Sequence, residues 1–201
     1  MSDKKNTPPE FDYLLPPEEC AHIGAVLGNI GLDPCGHVDQ FLKADRIMYG
    51  CGDEDDGLKA SWLEYGTVVM NATHGEREPD WDKLEANNDG WTRPDWAWHP
   101  FSKWVMKASV EAQRGCTVLA FMPASTDRKW FHQYVVEANS IVLLEQRVKC
   151  YVPQHGCPPV RGPQPMNAHM LVLWTKDPAI SDRFYLNYKS RGMIVEPRPV
   201  S

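Results

Sequence analysis

The sequence predicts an α/β domain whose sheet is mostly parallel and closes with an antiparallel C-terminal hairpin. Two patterns carry that reading. Up to residue 138, short apolar runs at 67–70 and 116–122 alternate with helical apolar spacings at 101–112 and 126–138, as expected where strands and helices take turns along a chain. Beyond it, the runs at 141–144, 148–152 and 170–174 follow one another without a helical spacing between them, as in a hairpin ending a sheet. A chain of 201 residues can bury a core that stands without disulfides. Residues 1–201 therefore read as one domain, with a Trp-rich insert at 75–100 and a C-terminal extension at 176–201.

Thr7-Pro8-Pro9-Glu10 has the form of a capping box with proline in the first turn, ahead of apolar Phe11, Leu14 and Leu15. A helix is expected from about residue 8, interrupted at Pro16-Pro17 and resumed through Cys20 to Leu27. Gly28 and Gly31 end it, and Leu32-Asp33-Pro34-Cys35 reads as a buried strand end turning into a loop. Thr67-Val68-Val69-Met70 is the next clear strand. The segment 75–100 carries Trp81, Trp91, Trp96 and Trp98, four of eight tryptophans, and is too irregular for a core element and long enough to be functional. From Phe101, the spacing of Trp104, Val105, Ala108 and Ala112 predicts a helix ending at Arg114-Gly115. A continuous strand at 116–122 and a helix at 126–138, with Trp130, Phe131, Tyr134 and Val135 on one face, come next. The Pro- and Gly-rich stretch 157–165 is expected to be the long loop of the closing hairpin.

Six cysteines lie at long, unequal intervals with no secretory signal ahead of them, which points to reduced thiols and a cytoplasmic location. No apolar run approaches the roughly 20 residues of a membrane span, so a soluble protein with no membrane partner is expected. The net charge of −6 argues at first against a polyanionic partner. The average hides an asymmetry: residues 1–100 hold 8 Lys and Arg against 20 Asp and Glu, a balance of −12, and residues 101–201 hold 13 against 7, a balance of +6. Such a chain can present a basic face to a nucleic acid and an acidic face to a cationic ligand, or solvate two surfaces.

In open α/β sheets ligands sit outside the carboxyl ends of the strands, so polar residues there carry most weight. Three clusters qualify: Asp33-Pro34-Cys35-Gly36-His37, Asp53-Glu54-Asp55-Asp56-Gly57-Leu58, and Asn71-Ala72-Thr73-His74. Asp33 suits the cationic amino-acid end of a sulfonium cofactor, and Asp55 or Asp56 its ribose or adenine. The acidic run lacks the alternation and distal Glu of a calcium loop, and the Cys and His residues lack a Cys-x2-Cys pair, so no metal is expected. An amide and a backbone carbonyl ending a buried strand, as at Asn71-Ala72, can accept both hydrogens of an exocyclic base amine, while a flat ring such as His74 stacks on the base. Trp91 and Arg93 could stack on bases or pack a lid. Arg128, Lys129, Arg147, Lys149 and Arg161 are candidates for phosphate contacts.

Thr7-Pro8-Pro9, Leu32-Asp33-Pro34-Cys35, Glu54-Asp55-Asp56-Gly57-Leu58 with Trp62, Val69-Met70-Asn71, Pro123-Ala124-Ser125-Thr126-Asp127 with Trp130-Phe131-His132, and Met170-Leu171-Val172-Leu173-Trp174 occur in a telling order. In that order and over about residues 7–175, the chain resembles the phage-type, Dam-like DNA N6-adenine methyltransferases. The resemblance implies a Rossmann-like methyltransferase sheet, S-adenosylmethionine as donor and adenine N6 in DNA as acceptor. It places Thr7 and Pro8 in the amino-terminal cofactor element, Asp33 with Cys35 in the cofactor loop, Asp55 and Asp56 on the adenosine side, and Asn71 in the catalytic loop. A phage-encoded member would act in the host cytoplasm.

The chain departs from that family at the catalytic loop, where Asn-Pro-Pro-aromatic is expected and Asn71-Ala72-Thr73-His74 stands. Ala72 keeps a carbonyl but loses proline's fixed φ and must be held by packing. His74 can stack on a base or, unlike tyrosine, act as a base near neutral pH. Three functions follow as alternatives: adenine N6 methylation, another DNA base modification with His74 as general base, and nucleic-acid binding without catalysis.

Overall fold

The computed structural model describes residues 13–49, 55–72, 99–154 and 157–197. Its main sheet has seven strands: β1 (Leu32–Asp33), β2 (Arg46–Ile47), β3 (Thr67–Met70), β4 (Thr117–Pro123), β5 (Ser140–Leu144), β8 (His169–Trp174) and β9 (Gly192–Val195), in the order β2-β1-β3-β4-β8-β5-β9. β2, β1, β3 and β4 are parallel neighbours, with Leu32 opposite Val68 and Val69 opposite Leu119. β8 runs antiparallel between β4 and β5, and β9 antiparallel on the outer edge of β5. The fold is thus α/β, with a mostly parallel sheet and antiparallel strands at one side.

Strand alternation sorts the core into two layers. Leu32, Val68, Met70, Val118, Ala120, Met122, Met170 and Val172 face one side, where α2 (Phe101–Arg114) packs through Phe101, Trp104, Val105 and Ala108. Val69, Leu119, Phe121, Val142, Leu171 and Leu173 face the other, under α1 (Pro17–Leu27) and α4 (Pro178–Tyr188), which supply Ile23, Val26, Ile180, Phe184 and Tyr188.

Four expectations need correction. Helix α1 begins at Pro17 rather than resuming after a break there. Pro16 is extended (φ −68°, ψ 153°), as the residue before a proline must be, and Leu14 forms an antiparallel bridge to Tyr151 with two 2.9 Å bonds. The expected helix at residues 8–12 lies outside the described residues. The stretch 157–165 is not a plain loop: β7 (Cys157–Arg161) pairs antiparallel with β6 (Tyr151–Gln154) as a separate ribbon. Adjacent strand residues turn their nitrogens to opposite sides, so the ribbon's free edge accommodates one of Pro158 and Pro159, and the register shift between Val152 and Gln154, opposite them, accommodates the other. The helix expected at 126–138 is shorter: α3 (Lys129–Tyr134) tightens into a 3-10 turn at Val135–Glu137. Finally, residues 178–195 are part of the sheet layers. Asp177 caps α4 by accepting from the Ala179 N–H at 2.8 Å with Pro178 at the first position, and β9 extends the sheet.

One buried ion pair ties α1 to the end of α4. Glu19 is wholly buried. Its Oε1 accepts from the Tyr188 hydroxyl (2.8 Å) and Arg191 Nη1 (3.1 Å), and its Oε2 accepts from Arg191 Nη2 (2.7 Å). Removing the cation leaves a desolvated carboxylate with a phenol as its main partner. Arg191→Met is therefore expected to destabilise the protein by about 3–5 kcal/mol in urea unfolding. A loss below about 1 kcal/mol would contradict the pair's structural role. Among the described residues, no helix is long and apolar enough to cross a membrane.

Candidate functional site

The same alternation that builds the core builds the site. Asp33, Asn71, Phe121 and His169 share the parity of the layer under α1 and α4, and each stands at or near the same edge of the sheet. For β1, β3 and β4 this is the carboxyl end. For antiparallel β8 it is the first residue, and His169 sits opposite Pro123. These strands are neighbours, so β1 to β8 spans three inter-strand spacings, about 14 Å. A cavity of about 360 Å³ lies along this edge, a size suited to a small ligand. Asp33, Cys35 and Gln40 line one part, Asn71 and Ala72, which directly follow β3, line the next, and Phe121, His169 and the segment 163–167 line the rest.

Asp33 is buried and accepts from the Cys35 N–H at 3.1 Å. Burial pushes its pKa up to about 6 against the pull of the Cys35 and Gln40 donors. Among the described residues no Lys, Arg or His pairs with it, so a cationic ligand would supply the counter-charge that this carboxylate lacks. The loop is tight. A Cβ at Gly36 would collide with Ile47 and with Gln40, whose Oε1 accepts from the His37 N–H at 2.7 Å. The Cys35 thiol sits against Asp33 and the Asn71 backbone N–H, and burial followed by the Asp33 charge holds its pKa well above the ordinary value. It stays a thiol, not a nucleophile.

Asn71 directly follows β3 and is half-buried. Its Nδ2 donates to the Tyr13 carbonyl at 2.8 Å, which orients the amide and leaves Oδ1 as an acceptor with no donor among the described residues. Ala72 is buried within the layer under α2, so packing restrains the position where proline was expected. His74 lies outside the described residues, as do Thr7, Pro8, Trp91 and Arg93.

Asp55 and Asp56 are not among the residues lining the cavity. Asp55 accepts from Arg46 Nη2 at 2.7 Å and from the Tyr49 N–H at 2.8 Å, holding the end of β2. Asp56 is buried, accepts from the Leu58 N–H at 2.9 Å, and faces Lys59 Nζ at 3.6 Å and His99 Nε2 at 3.7 Å. Gly57 packs so closely on the Pro34 carbonyl that a Cβ would collide with it, which sets the acidic loop beside the Asp33 loop.

Of the basic candidates, Arg147 and Lys149 flank the cavity. Arg147 Nη1 donates to the Pro165 carbonyl at 3.2 Å, and Lys149 is exposed between the lining residues Val148 and Cys150. Arg128 and Lys129 are exposed at the start of α3, five and six residues past the carboxyl end of β4. Arg161 pairs with Glu18 at 2.8 Å on the ribbon.

Sequence reasoning missed Tyr13, Phe121 and His169. The visible signal for His169 was an imidazole opening a strand that is otherwise apolar, His-Met-Leu-Val-Leu-Trp. No family model matches this chain, and no curated protein or solved structure is significantly similar to it.

Proposed function

We propose that this protein is an S-adenosylmethionine-dependent methyltransferase that acts on adenine N6 in DNA, on a Rossmann-like methyltransferase sheet. The observation that carries the reading is Asn71: an amide fixed by Tyr13, with a carbonyl oxygen that has no donor among the described residues, in one cavity with a buried carboxylate that has no cationic partner among them. The strand order supports it, because one antiparallel strand set between two that run the same way is the outline of that sheet.

The donor set fits the cofactor. Asp33 offers a buried negative charge to its ammonium and sulfonium end, whereas Asp55 and Asp56 lie outside the cavity and are engaged elsewhere. Bound there, S-adenosylmethionine supplies an electrophilic methyl group. The protein's own part is positional. Asn71 Oδ1 accepts one hydrogen of the exocyclic amine, the Ala72 carbonyl is the candidate for the second, and the nitrogen lone pair is then aimed out of the ring plane. As the amine nitrogen becomes positive, both acceptors bind it more strongly than in the ground state. Arg147 and Lys149 beside the cavity, with Arg128 and Lys129 beyond β4, are the candidates for phosphate contacts.

The test is methyl transfer by the purified protein from methyl-labelled S-adenosylmethionine to duplex and single-stranded DNA, with separate titration of cofactor binding. Label on adenine supports the reading. Label on another base, or cofactor binding without transfer to any DNA, refutes it. Absence of cofactor binding favours a nucleic-acid-binding role.

A further inference from the structure

His169 is 5 % exposed and lines the cavity, and every described partner fixes it in one state. Its Nδ1 accepts from the Val148 N–H at 3.2 Å, so the ring proton of the neutral imidazole is on Nε2. Burial first, then the Arg147 charge, lowers its pKa to about 4, which keeps it neutral at pH 7. Phe121 lies against its face, with ring centroids 4.7 Å apart and planes 30° off parallel. Nε2–H makes no hydrogen bond among the described residues, yet it is not a sealed polar atom: the one such side-chain atom found among the described residues is His99 Nε2. A donor on a buried side chain that lines the cavity and has no partner among the described residues is available to a ligand.

We propose that His169 is a specificity-determining residue whose Nε2–H donates to a ring nitrogen of the target base. This rests on the reading that a base enters the cavity. Paired with the Asn71 Oδ1 acceptor, it makes a site that asks for an exocyclic amine and an unprotonated ring nitrogen on one base. Adenine meets both demands, as does cytosine, whereas thymine offers no exocyclic amine; the choice of adenine between the two rests on the proposed reaction.

The experiment measures binding of short single-stranded oligonucleotides carrying adenine, 1-deazaadenine, 3-deazaadenine or 7-deazaadenine at one position, to the intact protein and to His169→Leu and His169→Gln. For the intact protein, one deaza analogue is expected to bind about tenfold more weakly than adenine, the worth of one hydrogen bond. In His169→Leu that penalty is expected to vanish while adenine itself binds about tenfold more weakly. His169→Gln, which can accept from Val148 and still donate, is expected to keep part of the penalty. A purely structural role would weaken all four ligands alike. Equal binding of all four by the intact protein, or the same deaza penalty in His169→Leu, overturns the proposal. Because the readout is base binding, failure of methyl transfer alone refutes the catalytic reading and leaves this assignment standing.

Discussion

Asn71→Ala is expected to lower the rate of methyl transfer by about 100- to 1000-fold, the usual effect of removing one preorganised group that stabilises developing charge. Cofactor affinity should change by no more than about twofold, since Asn71 Nδ2 bonds to the Tyr13 carbonyl and its oxygen is assigned to the acceptor base, not to the cofactor. Asn71→Asp is a finer probe. It keeps an acceptor but turns a carboxylate oxygen toward the Tyr13 carbonyl, where the amide had a donor. Its activity should fall between that of the intact protein and of Asn71→Ala. Single-turnover rates with saturating cofactor separate these outcomes from weak binding. Full activity in Asn71→Ala would remove Asn71 from the mechanism.

The second large effect is at Asp33, where binding and stability should move in opposite directions. Asp33→Asn is expected to weaken S-adenosylmethionine binding by about 2–5 kcal/mol, thirtyfold or more in Kd, as when one member of a buried charge pair is lost. The free protein should respond the other way. With the folded pKa at about 6 and the ordinary value at 3.8, the folded state holds this proton more tightly than the unfolded chain. The stability this group contributes is present in full below about pH 4 and is lost as pH rises through 6. The two values differ by about two units, so at pH 7.5 the ionised carboxylate costs about 3 kcal/mol, and Asp33→Asn should recover much of it. In the intact protein, cofactor affinity should rise from pH 5 to pH 7, with proton release on binding near pH 6. Calorimetry in buffers of different ionisation enthalpy reads that proton. A variant that is both less stable and unchanged in binding would contradict this role.

How much of this was legible in the sequence depends on what each residue answers to. Asp33 and Asn71 were visible because a polar residue that ends an apolar run must be satisfied locally or serve a ligand, and that inference needs only the strand. Helix α2 and strands β3, β4 and β8 were visible for the same reason, since periodicity is a local property. His169 was not. Its place in the site depends on β8 running antiparallel between β4 and β5, which brings the first residue of one strand to the last of another. Tyr13 was hidden as well, because its carbonyl meets Asn71 only once the amino-terminal segment folds back to bridge Tyr151. The acidic run illustrates the reverse difficulty. Asp55 and Asp56 look alike in sequence, but one holds the end of β2 through Arg46 and the other is buried facing Lys59 and His99. Pro158 and Pro159 suggested a loop because strand propensity ignores both the free edge of a two-stranded ribbon and the register shift opposite them.

The measurement closest to the central claim is nucleoside mass spectrometry of DNA from cells that lack their own adenine methylation and express either this chain or its Asn71→Ala variant. N6-methyladenine with the intact chain and its near-absence with the variant is the predicted result. It would also show that Ala72-Thr73-His74 can replace the loop expected after Asn71. N6-methyladenine at equal levels with both chains, or a different new nucleoside with the intact chain alone, would contradict the account.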